Sequence, residues 1–255
     1  MVALFDTPPT VPSLNQPSSS TECLFCEGFT GAALTDERVW PAWMIREFEK
    51  RGVAIEGSRS AVPVMQDCSN RWLSVLENDC KPLLLRVWNQ PTVLNPQERE
   101  LLAVWATKTA ITVDAYGSPS LPRGFAHDLR VSRRPSPGVW VWATAFVGPI
   151  RYAAAWGSDV RLEALADLPG PHGLTITFTA GPILFQVMFV YERGEFEVDI
   201  RADDAALLMA LWPTGAETCQ WPPGGFDDEA AERLVVRFSG TDPDGLLSDR
   251  GERVT

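Results

Sequence analysis

Hydrophobic and polar positions divide the chain into three regimes. Residues 1–20 show no periodicity, and their Pro8-Pro9 and Ser18-Ser19-Ser20 runs read as a tail with nothing to pack. From Cys23 to about residue 90, short apolar stretches are interrupted by cysteines and tryptophans. At Asn95-Pro96-Gln97-Glu98 the pattern turns helical. Asn95 suits a cap, Pro96 fits a first-turn position where no N–H is missed, and Glu98 stands where a capping box needs it. Leu101, Leu102, Trp105, Thr109 and Val113 then recur on one face, which predicts a central buried helix.

Beyond residue 137 the apolar residues come in short runs bounded by Gly and Pro: Val139–Val147, Leu174–Thr179, Ile183–Tyr191 and Phe196–Ile200. With Gly181-Pro182 and Arg193-Gly194 as turns, these predict antiparallel strands joined by short loops. Asp227 to Phe238 reads as a last helix with acidic residues in its first turn. Residues 241–255 read as a polar tail. The expected class is therefore α+β: a cysteine-bearing module over 21–90, a helix and a basic loop over 91–136, and a β-rich antiparallel C-terminal domain over 137–240.

Composition changes this picture at three points. A chain of 255 residues that is 45% hydrophobic can bury a substantial core. It has no basic region followed by an apolar one at its start, and no apolar run near the ~20 residues that cross a bilayer. We therefore expect a soluble cytoplasmic protein without a membrane partner. The net charge of −11 argues against broad capture of nucleic acid, but it is unevenly spread. Between residues 101 and 161, Lys108, Arg123, Arg130, Arg133, Arg134, Arg151 and Arg161 face only Asp114, Asp128 and Asp159. Arg123, Arg130, Arg133 and Arg134 read either as a phosphate-binding loop or as an ordinary solvated one.

Five cysteines, two of them in Cys23-Leu24-Phe25-Cys26, fit thiolate metal ligation in a reducing compartment better than a disulfide framework. Two thiolates at this spacing can close on one tetrahedral Zn²⁺ and need a second pair. Val64-Met65-Gln66-Asp67-Cys68 offers only Cys68, because Met65 stands where the other cysteine would. A structural zinc would thus have Cys23, Cys26 and Cys68 and miss one ligand, for which Cys80, Asp67 or water are candidates. The alternative is that the thiols pack as small hydrophobes without metal. Cys219 reads as a buried or free thiol. Trp40, Trp43, Trp72, Trp88 and Trp105 read as core residues with each indole N–H on a carbonyl, or as base-stacking platforms.

Three further segments complete a pattern. Thr35-Asp36-Glu37-Arg38-Val39-Trp40-Pro41-Ala42-Trp43 follows the first knuckle and is expected to open a helix. Cys68-Ser69-Asn70-Arg71-Trp72-Leu73 leads to Leu76-Glu77. In order and spacing, residues 23–81 resemble bacterial HNH endonuclease-like proteins, with C-x-x-C, a Glu-His before a Trp/Phe-Pro pair, C-x-x-C-N-x-x-W and a downstream Leu-Glu. Trp105-Ala106-Thr107-Lys108-Thr109-Ala110, Phe185-Gln186-Val187, Trp212-Pro213 and Trp221-Pro222-Pro223 resemble that group's later landmarks.

The resemblance implies a ββα-metal fold. In it one divalent cation is held against the scissile phosphate, a neutral histidine takes a proton from water, and an asparagine orients that histidine. Here the histidine position is Arg38. A guanidinium stays protonated and has no acceptor nitrogen, so it cannot be the base. Asn70, or Ser69, matches the asparagine. Glu37 and Glu77 are candidate oxygen ligands for Mg²⁺ or Mn²⁺, needed only if the site is catalytic. Alternatively, Glu37 is a first-turn helix charge and Glu77 pairs with Lys81.

His127, beside the basic loop, is a candidate substitute base, and His172 is the other histidine. Two functions follow. One is a degenerate HNH endonuclease-like protein with impaired or no phosphodiesterase activity that retains binding to DNA or to a protein partner. The other is an active metal-dependent DNA endonuclease with a substitute base.

Overall fold

The computed structural model describes residues 22–26, 33–52, 60–117, 119–148, 155–160, 172–191 and 206–238. The expected tails at 1–20 and 241–255, the run Phe196–Ile200 and the turn at Arg193-Gly194 lie outside them.

Strand β1 (Leu34–Arg38) pairs antiparallel with β2 (Ala61–Met65), Leu34 opposite Met65 and Arg38 opposite Ala61. This corrects the helix expected to open at Thr35. Helix α1 (Ala42–Lys50) begins only after Pro41. The reason is a period of two: Glu37 and Val39 are buried while Asp36 and Arg38 are exposed, and Pro41 disfavours the helical region for the residue before it.

From β2 the chain runs into α2 (Gln66–Cys68), a π-helical turn (Ser69–Leu73) and α3 (Ser74–Asn89). Strand β3 (Thr92–Leu94) precedes α4 (Pro96–Tyr116). The expected capping box is present: Glu98 N–H donates to Asn95 Oδ1 at 2.9 Å and Asn95 N–H to Glu98 Oε2 at 3.0 Å. Helix α4 is buried on every side from Leu102 to Val113, not on one face alone. Most of its polar residues are satisfied locally or clamp other elements, while the buried Thr109 hydroxyl finds no partner among the described residues. Thr107 Oγ1 donates to Ala103 O at 2.8 Å, and buried Arg99 donates to the carbonyls of Ala210, Gly215 and Glu217 at 3.1, 2.6 and 2.6 Å.

The expected basic loop is largely a helix, α5 (Gly124–Ser132), capped by Arg133 in the left-handed region at φ 58°. Leu121, Phe125, Ala126 and Leu129 supply its apolar anchor.

The large sheet has the order β10-β4-β7-β6-β5, with β8 also on β4. Its members are β4 (Val139–Phe146), β5 (Ala155–Val160), β6 (Gly173–Thr179), β7 (Ile183–Val190), β8 (Met209–Trp212) and β10 (Gly225–Phe226). All pairings are antiparallel except β10 with β4. A separate pair joins β3 to β9 (Cys219–Trp221).

Strands β6 and β7 are buried at every position. Ile183, Phe185, Val187 and Phe189 enter the core around α4, whereas Leu184, Met188 and Val190 pack with Ala231 and Leu234 of α6 (Asp228–Phe238). Burial of both faces explains why these runs look continuous rather than alternating. Helix α6 starts as expected, with Asp227 Oδ1 accepting the Ala230 N–H at 2.8 Å.

The tryptophans of the N-terminal half are core residues. Trp105 lies 5.6 Å from Phe185, and Trp88 stacks on Phe48. The expectation that each of their indole N–H groups finds a carbonyl fails for Trp43, Trp88 and Trp105, which find no acceptor among the described residues; outside that set, Trp221 donates to Val87 O at 3.0 Å.

Candidate functional site

Two clusters meet at the chain reversal from β2 into α3. The first is sulfur. Cys23 and Cys26 lie in a turn held to β2 by Leu24 N–H donating to Pro63 O at 3.1 Å. Cys68 ends α2. Its Sγ lies 3.9 Å from that of Cys23 and 3.4 Å from that of Cys26, and all three are buried within 4.8 Å of one another. Met65 N–H donates to Cys23 Sγ at 3.2 Å. The three cysteines are close enough to hold a metal ion.

Burial, then the neighbouring Cys68 and Cys23, push the Cys26 thiol up to about 12. Burial also raises Cys68, against the opposite pull of Arg130 and Trp72. Of the two side chains suggested as the fourth ligand, neither joins the group. Asp67 is exposed and ion-paired with Arg71 at 2.8 Å, and Cys80 is fully buried on α3 with its thiol raised by burial. Cys219 is half-buried against the main core.

The second cluster is ionic. Lys108 of α4 is wholly buried, and its Nζ sits 3.1 Å from Glu37 Oε1 and 3.2 Å from Glu77 Oε1. Ser69 Oγ donates to Glu37 Oε2 at 3.0 Å. The two carboxylates are thus brought together from β1 and α3, and the group between them is an ammonium. Burial lifts the Glu77 carboxyl above its ordinary value, assisted by Glu37 and opposed by Lys108. For Lys108, burial works against the charge, but Glu77 and Glu37 outweigh it and raise its pKa.

Both alternative roles for the carboxylates are corrected. Glu37 is on a strand, not in a helical first turn. Glu77 pairs with Lys108, while Lys81 lies over the Trp43 ring at 5.7 Å.

Ser69, not Asn70, reaches Glu37; Asn70 is exposed. Arg38 is exposed, on the opposite side of β1 from Glu37. His127 lies half-buried on α5 with no partner for Nδ1 among the described residues, and His172 is buried at the entry to β6.

The four arginines do not act as one patch. Arg123 pairs with Glu22 and Arg134 with Glu100 at 2.6 Å, whereas Arg130 and Arg133 both lie within electrostatic reach of the Cys68 thiol and of each other, Arg133 4.8 Å over Trp72. Lys108 was the residue missed. Its signal was present, because it is the lone charge between Leu101 and Val113, and a buried charge needs a partner. No family model, curated protein or solved structure matches this chain.

Proposed function

We propose that this chain is a degenerate HNH endonuclease-like protein that holds a structural zinc and acts by binding, without phosphodiester hydrolysis. The observation that carries this reading is the Lys108 ammonium between Glu37 and Glu77. A hydrolytic cation needs carboxylate oxygens open to it and to the substrate. Here those oxygens are turned inward onto a tethered cation that has no open position and cannot activate water. Arg38 at the base position removes the other half of the chemistry. The antiparallel β1–β2 pair followed by the α2–α3 helical run supports the ββα comparison in part, with α1 inserted between the two strands.

Zinc suits the sulfur cluster. Tetrahedral Zn–S bonds of ~2.3 Å put ligand sulfurs about 3.8 Å apart, close to the 3.4 and 3.9 Å seen here. When bound, the ion would hold Cys23, Cys26 and Cys68 as thiolates, and the Met65 N–H would offset part of the charge on Cys23. Nucleic-acid contact under this reading falls to Arg38, Arg130 and Arg133, since Arg123 and Arg134 are already neutralised.

The purified protein should carry one equivalent of zinc, lost in Cys26→Ser, and should leave supercoiled plasmid uncut in Mg²⁺ or Mn²⁺. Nicking by the wild-type chain that disappears in Glu37→Ala or Asn70→Ala would establish the active-endonuclease alternative instead.

A further inference from the structure

A divalent ion on the thiolates of Cys23, Cys26 and Cys68 would carry a net single negative charge. Its setting is apolar. The three cysteines are at most 3% exposed, and Phe25, between the first two, packs edge-on against Trp72 at 5.0 Å. A buried charge needs a counter-charge. Lys108 cannot supply it, being held by Glu37 and Glu77, and Arg71 is paired with Asp67.

The end of α5 can. Arg130 lies half-buried in its last turn. Arg133 caps the helix from a left-handed backbone at φ 58°, its guanidinium 4.8 Å from the centre of the Trp72 ring. Trp72 thus links the Cys23–Cys26 turn to the end of α5. Neither arginine meets a carboxylate among the described residues. Arg130 instead favours the Cys68 thiolate, and Cys68 favours the charge on Arg133, which burial and then Arg130 oppose. A helix C-terminus attracts basic residues in any case, but the dipole does not account for two guanidiniums held in mutual repulsion beside a thiol. The buried Trp72 N–H also lacks an acceptor among the described residues, and it too favours the Cys68 thiolate.

We propose that Arg130 and Arg133 are the charge partners of a zinc–thiolate centre, so that the end of α5 sets the affinity of the three cysteines for their metal. The proposal rests on the reading that these cysteines hold zinc, and it adds the residues that make the site tight. Without metal, the guanidiniums face thiols and repel each other. Zinc displaces thiol protons, and the same contacts become attractive. The two arginines then exceed the centre by one positive charge, which leaves a phosphate contact open to them.

The test is the zinc affinity of the full chain, read by competition with a chromophoric chelator. Arg130→Gln and Arg133→Gln should each weaken zinc about tenfold or more, the range for partners that act on metal ligands from outside. Arg130→Lys and Arg133→Lys keep the charge and should recover most of that loss. Arg71→Gln removes an arginine already paired with Asp67 and should leave zinc affinity unchanged. With Co²⁺ in place of zinc, the thiolate-to-metal charge-transfer band should move to lower energy in the glutamine variants, because a lost cation raises the energy of the sulfur electrons. Loss of packing alone would not move that band.

Zinc affinity unchanged in either glutamine variant, or weakened as much by lysine with the cobalt band unmoved, would overturn the proposal. A wild-type chain that takes up neither zinc nor cobalt would sink the zinc reading itself, and this proposal with it. Metal uptake by the wild type that is indifferent to both arginines would sink only their role.

Discussion

At the scale of single residues, Lys108 decides the chemistry. Two carboxylates from different elements would repel across a buried site, and one ammonium at 3.1 and 3.2 Å holds them together. Removing one partner of a buried ionic group leaves the others uncompensated, at a typical cost of about 3–5 kcal/mol. Lys108→Ala should therefore lower the unfolding free energy measured in urea by that much, and Mg²⁺ or Mn²⁺ should recover part of the loss in the variant while leaving the wild type unchanged. No cation effect on the variant would show that Lys108 does not stand in a cation's place.

The pH dependence follows from the direction of the shifts. Lys108 has its pKa raised above 10.5 in the folded state, so its contribution is complete below that value and disappears as pH rises through the raised one. Glu77 is also raised, from 4.5, so its ionisation is a cost that grows as pH rises past 4.5. Without Lys108 that cost is unopposed. As pH rises above 4.5 the variant should lose more stability than the wild type, and only the wild type should show the further alkaline loss of the lysine proton, as followed by urea unfolding across the range.

At the scale of elements, the π-helical turn links the two clusters. Cys68 and Ser69 are consecutive, so the segment that brings a thiol to Cys23 and Cys26 also aims a hydroxyl at Glu37. Ser69→Ala should cost about 1.5–3 kcal/mol, the range for hydrogen bonds to charged groups, while leaving zinc content intact; loss of zinc together with stability would mean the turn itself had rearranged. The turn could not be read from sequence, since Cys68-Ser69-Asn70-Arg71-Trp72 suits an α-helix equally and only tertiary contact selects the wider winding.

Other elements were legible. The capping box at Asn95, the existence of helix α4 and the strand runs at 139, 174 and 183 were written locally, in cap chemistry and in apolar runs bounded by Gly and Pro. The strand at Leu34–Arg38 was missed because five residues of mixed polarity carry little pattern until β2 pairs with them. The second strand face was also hidden, because α6, which covers it, lies some forty residues further along. For the site, the cysteine trio was readable from spacing. The carboxylate–lysine contact was not, because it joins residues 37, 77 and 108, and no local pattern spans that distance.

At the scale of the whole molecule, α4 is shared. It lies against α3, supplies Lys108 to the ionic cluster, puts Trp105 on Phe178 and Phe185 of the large sheet, and uses Arg99 to hold the segment after β8. One continuous cluster of buried side chains runs from Cys23 to Trp221. A helix buried on all sides has no stable solvated state of its own, so loss of either flank should expose it to the other flank's unfolding.

Zinc at the thiols would then stabilise the sheet as well, by the free energy with which it prefers the folded chain. Chelation, or Cys26→Ser, should lower the unfolding midpoint seen by far-ultraviolet circular dichroism and by tryptophan fluorescence together, as a single transition. Two separated transitions, with the β-sheet signal unmoved by the chelator, would mean that α4 does not couple the flanks and that the thiol cluster supports only its own neighbourhood.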